Sequence, residues 1–88
     1  MIYKIFAIKD VKVGFMQPFM QVNEGVAVRE FKNLVNSANS VVSVNYTDME
    51  LYCLGTYNLD TGAIESDVKY VIKGADVKEV IDIERTEG

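Results

Sequence analysis

The sequence predicts an α+β domain: a small mixed sheet of three to four strands with one helix packed on one face. Three observations carry this. Residues 2–9 and 49–57 are dense in β-branched and aromatic side chains, and 63–70 follows as a third strand-like run. Between the first two runs, EGVAVREFKNLVNS repeats its apolar residues at helical spacing. The 88 residues are 49% hydrophobic and 25% charged, the profile of one globular domain with little stability to spare. Residues 1–88 are therefore read as a single domain, with 75–88 as a frayed or partly helical tail.

In IYKIFAIK, alternation puts Tyr3, Ile5 and Ala7 on one side and Ile2, Phe6 and Ile8 on the other. Both sides are apolar, so this strand is central or one of its faces meets a partner chain. Pro18 interrupts GFMQPFMQV, which suits a short edge strand or an ordered loop. Asn23 is a good helix N-cap, and Glu24 complements the positive end of the helix dipole. At 100° per residue Ala27, Phe31, Leu34 and Val35 share one stripe with Val28 at its border, while Arg29 and Asn33 point away and Lys32 flanks it. Asn36 and Ser37 end the helix. A strand–helix–strand crossover then predicts that the first strand and 49–57 run parallel, with 63–70 added antiparallel as a hairpin. The terminal VKEVIDIERTEG suits a short helix, an edge strand or a frayed tail, and its pattern does not choose.

Charge and composition narrow the function classes. The net charge of −4 is uneven: +2 over residues 1–33, −3 over 34–64 and −3 over 65–88. Nucleic-acid binders usually carry a basic excess, so an acidic total counts against that class while leaving room for a local basic face. With no histidine, the commonest general base and metal ligand is missing. Cys53, the single cysteine, cannot form an intrachain disulfide and reads as an inert core thiol between Tyr52 and Leu54. MIYKIFAIKD is too short and too charged for a signal peptide, and no apolar run is long enough to span a membrane. The expectation is a reducing cytoplasm, with no catalysis, no cofactor and no metal site.

One run argues for chemistry. Residues 58–64 read NLDTGAI, and LDTGA resembles the catalytic loop of retroviral-type aspartic proteases, where two such loops share a proton across a dimer axis. Only 26 residues follow Gly62, too few for the flap and walls such a chain needs. The nearest candidate for the later glycine element, Val71-Ile72-Lys73-Gly74, is broken by lysine. The alternative is a turn in which Asp60 bonds its own backbone and Gly62 supplies a positive φ. The turn is the reading adopted.

A second resemblance covers residues 3–64. It rests on the order of Ile5-Phe6-Ala7-Ile8, Pro18-Phe19, Asn23, Ala27, Arg29 and Phe31, then Leu51-Tyr52, Gly55, Tyr57 and Thr61-Gly62. This order resembles the small nonstructural protein of gokushovirus-type microviruses, tailless single-stranded DNA phages. Members often carry Asp where this chain has Asn58, and residues 65–88 lie outside the likeness. The resemblance implies a non-enzymatic phage protein made in the host cytoplasm and absent from, or minor in, the virion. It implies a role in DNA binding, or at the switch from duplex replication to single-strand synthesis and packaging.

Two roles then compete. The first is single-stranded DNA binding by Lys9, Lys12, Arg29 and Lys32 with Phe19 as a stacking platform, Phe15 and Tyr57 being further platforms if exposed. The bland reading of the same residues is a solvated helix face and core phenylalanines. The second is an oligomeric assembly or scaffolding module acting by protein contacts alone, supported by the two apolar faces of the first strand and by Met16 and Met20. A homo-oligomer, a dimer or higher, is expected in either case, with phage replication or capsid proteins as further partners.

Overall fold

The computed structural model describes residues 1–79. β1 (Ile2–Asp10) lies at the centre of a five-stranded sheet. On one side it pairs with β2 (Gly14–Phe15) and β3 (Phe19–Gln21). On the other it pairs with β4 (Met49–Asn58), which pairs in turn with β5 (Ile64–Lys73). α1 (Glu24–Val35), α2 (Val41–Val44) and a single 3-10 turn, Tyr46–Asp48, connect β3 to β4, and α3 (Gly74–Val77) follows β5. The rest of the expected tail, from residue 80 on, lies outside the described residues.

Every strand pair among the described residues is antiparallel, so the sheet they form is not mixed. The reason lies in residues 11–21, which fold back on β1 before the helix begins. Phe15 comes opposite Lys9, Phe19 opposite Phe6, and Gln21 opposite Lys4. The helix therefore starts beside the beginning of β1. Its 12 residues span about 18 Å and carry the chain back towards Asp10, opposite which β4 starts at Met49. The crossover joins β3 to β4, both antiparallel to β1 and hence parallel to each other with β1 between them.

α1 begins where capping chemistry says it should. Asn23 is extended, and its side chain accepts a hydrogen bond from the Val26 amide at 2.9 Å. Ala27, Phe31 and Val35 are fully buried against Phe6 and Ile8 of β1 and Met49 and Leu51 of β4, with Val42 and Val77 closing the ends of this core. Burying side chains of this size contributes roughly 1.5–3 kcal/mol each. Leu34, expected in the stripe, is 42% exposed. The helix is turned so that Phe31 and Val35 lie nearer the centre of contact, which leaves Leu34 at the margin. At the far end Asn36 donates to the carbonyls of Lys32 and Val77 (2.8 and 2.9 Å) and accepts from the Glu79 amide at 2.8 Å, fixing the helix end to α3.

The register of β1 on β4 shifts once. Ile5 faces Gly55 but Phe6 faces Cys53, so Leu54 is an extra residue in β4. Beside it Gly55 has φ +149°, and a Cβ built there would lie 1.9 Å from the Glu65 carbonyl oxygen. Only glycine lets β5 approach so closely.

The loop after β4 is a turn, as the Asp-Thr-Gly reading holds. The expected internal bonds of Asp60 are made by Asn58 instead, whose side chain accepts from the amides of Asp60 (2.9 Å) and Thr61 (3.2 Å). Asp60 pairs with the Met1 ammonium at 2.7 Å, and Gly62 takes φ +78°.

Candidate nucleic-acid interface

Partners opposite each other in a ladder point to the same side of a sheet. Phe6–Cys53 and Ile8–Leu51 therefore define the side beneath α1. Tyr3–Tyr57, Ile5–Gly55, Ala7–Tyr52 and Lys9–Glu50 define the other. Their neighbours extend that second face: Phe15 opposite Lys9, Met20 opposite Ile5, Tyr70 opposite Tyr52, and Ile64 opposite Tyr57. No helix of the described residues covers it, yet it is made largely of aromatic and aliphatic side chains.

One half of this open face is an aromatic row. Phe15 and Tyr52 meet edge to face with centroids 5.2 Å apart, and Tyr52 meets Tyr70 the same way at 5.7 Å. The Lys9 ammonium lies over both Phe15 (5.5 Å) and Tyr52 (5.6 Å). Phe15 and Tyr70 remain about half exposed, whereas Ala7, too small to reach past its neighbours, is fully buried. Packing pushes the Tyr52 phenol above its ordinary value of 10.0. The hydrogen bond to Glu50 (3.2 Å) and the negative charge of that carboxylate push the same way. Tyr52 therefore stays a neutral ring and a donor at physiological pH.

The other half is an apolar groove of about 460 Å³ lined by Ile5, Pro18, Phe19, Met20, Tyr57 and Ile64. Its lining carries no charged side chain.

The five residues expected at a DNA site are not brought together. Lys9 is on the open face. Lys12 is in the turn between β1 and β2, its ammonium 3.8 Å from Asp48. Arg29 is exposed on α1, and Lys32, on the same helix, pairs with Glu79 at 3.6 Å. Both therefore lie on the helix-covered side of the sheet. Phe19 is half-buried, stacked on Phe6 at 5.9 Å and packed against the core, with one side reaching the groove. Tyr52 and Tyr70, which complete the aromatic row, were not among the expected residues. Alternation places Tyr52 on one face of its strand, but only the pairing of β1 with β4 shows that this face is the open one.

Cys53 is a free thiol on the helix side, half-buried, with its sulfur 3.8 Å from the Gly55 carbonyl oxygen. Among the described residues no three acids or cysteines gather as a metal site, and no helix is long and apolar enough to cross a membrane.

Residues 3–77 match the family model described as phage ORF5 protein, a match that takes in all the strands and helices of the described residues except Ile2, the first residue of β1. The chain belongs to the phage ORF5 protein family. No curated protein and no solved structure matches it. It is thus a phage protein.

Proposed function

We propose that this phage protein is an accessory factor that binds single-stranded DNA across the open sheet face, and that its source is a phage of the gokushovirus type. The observation that carries the reading is the row Phe15–Tyr52–Tyr70 with the Lys9 ammonium against two of its rings. Rings exposed on a flat face give a strand something to stack on whatever its bases, and a nearby ammonium meets the phosphates. On this reading Lys9 keeps the role expected of it, and Phe15, Tyr52 and Tyr70 replace Phe19 as platforms. Arg29 and Lys32 lie off the path of the strand.

The test is fluorescence anisotropy with a labelled single-stranded oligonucleotide and a duplex control, at salt from about 20 to 300 mM. Binding should prefer the single strand and weaken steeply with salt. Phe15→Ala should lower affinity by about five- to a hundredfold, the range of one lost stacking partner. Arg29→Ala/Lys32→Ala should change it little. No binding at the lowest salt removes the reading, and loss of binding only in the helix variant moves the site to α1.

The groove favours a second reading. Its uncharged lining suits protein contacts better than a nucleic-acid backbone, and would serve an assembly module that docks on phage replication or capsid proteins.

A further inference from the structure

β5 ends the sheet, and among the described residues no strand pairs with its outer edge. It is a long strand for such a place, ten residues without a proline, and Ile64–Tyr70 is exposed on both faces. Natural edges of this length are usually protected by charges, bulges or a covering element. β5 carries two register shifts against β4, one near Val71 and one between Ser66 and Lys69, opposite Leu54. Asp67 and Lys69 still lie on one side of the strand, as their contact shows. Charges are present, as Glu65, Asp67 and Lys69, of which the last two pair with each other at 3.2 Å while both stay about two-thirds exposed.

The order of those charges does not repel every strand. Ser66-Asp67-Val68-Lys69-Tyr70 has opposite charges placed symmetrically about Val68. An identical strand laid antiparallel with Val68 opposite Val68 puts each Asp67 opposite the other copy's Lys69, twice per pair. Opposite charges facing across a ladder are stabilising, and like charges are not. On the other side of the strand the same register lays Val68 on Val68 and Tyr70 on Ser66. Val68 is 56% and Tyr70 50% exposed in the single chain, so both have apolar area to bury. Shifting the register by one residue per chain, with the axis at Asp67, would keep two opposite-charge contacts, Glu65 with Lys69, but would set Asp67 against Asp67.

We infer that two copies of this chain pair edge to edge along β5, antiparallel about Val68, and that the reciprocal Asp67–Lys69 contacts select that register. The two sheets become one, and the open faces become one surface. A closed twofold contact of this kind uses up both edges and stops at the dimer.

The inference goes beyond the DNA reading and is tested without DNA. Sedimentation velocity of the full chain over a concentration series should show a monomer–dimer equilibrium that weakens with salt. Asp67→Lys and Lys69→Asp should each weaken the dimer by about tenfold, since two attractive cross-strand pairs become two repulsive ones. An equimolar mixture of the two variants should recover the dimer, because both facing pairs of the mixed dimer are then opposite in charge. The double exchange Asp67→Lys/Lys69→Asp should recover it too. Both positions are exposed, and circular dichroism checks that each variant stays folded. A monomer at every concentration overturns the inference. Single variants that dimerise as well as the parent overturn it as well. If the double exchange fails to recover the dimer, the Val68 register is wrong.

Discussion

Beneath α1, Phe6, Ile8, Met49 and Leu51 meet Ala27, Phe31 and Val35, and none of these is more than 6% exposed. Across the same sheet Phe15, Val68 and Tyr70 are 48–56% exposed although the strands there are no less apolar. The two faces differ in cover. What separates core from surface is which face the single long helix lies on, and that depends on where the chain turns back. Side chains on the covered face act through burial. Those on the open face lose little by remaining in water and keep their rings available.

The sharpest way to break this comparison is to truncate one aromatic residue on each face. Phe31→Ala should cost about 3–5 kcal/mol by chemical denaturation, the loss expected for a fully buried phenylalanine. Phe15→Ala should cost less than about 1 kcal/mol, because half its surface already meets water. Equal losses would mean that the open face is covered in solution.

Asn36 probes how firmly the helix is held over its face. It makes three bonds that join residues 41 and 43 positions apart, along with the helix end. Asn36→Ala leaves the Val77 carbonyl and the Glu79 amide without a partner and should cost about 1–3 kcal/mol in the same measurement.

The smallest expected effect concerns Tyr52. Its phenol is raised above 10.0, so the folded protein holds that proton more tightly than the unfolded chain. The associated stabilisation is complete below about pH 10 and is lost as pH rises through the higher folded value. A near-ultraviolet absorbance titration should show an ionisation above about pH 10 that Tyr52→Phe removes. If the ionisation lost in the variant is centred at or below about pH 10, the aromatic row is not packed as described.

The local parts of this fold could be read in the sequence. The three long strands, the Asn23 cap and the polar end of the helix depend on neighbours along the chain, and they were found within one to three residues. Strand direction was not legible, because two short strands around Pro18 reverse the chain, and runs of two and three residues carry too little alternation to register. Residues on α1 could be assigned to a side by counting, but the lysines and aromatics of the candidate interface could not. Lys9, Phe15, Tyr52 and Tyr70 come from four strands, and only the ladder pairings bring them together. An isolated glycine inside a strand pattern was the one available hint of the irregularity at Gly55.

That irregularity has a consequence for which tyrosines share a surface. Five steps separate Tyr52 from Tyr57, and in an uninterrupted strand an odd number of steps sends two side chains to opposite sides. The extra residue at Leu54 cancels one step. Ala7 and Tyr3 therefore both find tyrosine opposite them, one on each side of the bulge. The same strand without that bulge, with Leu54 in regular alternation, would keep its composition and its whole sequence. Beyond that point, however, it would turn Tyr57 towards the helix side and Thr56 and Asn58 outward. The aromatic content of the open face is thus set by a single backbone position as much as by the aromatic residues themselves.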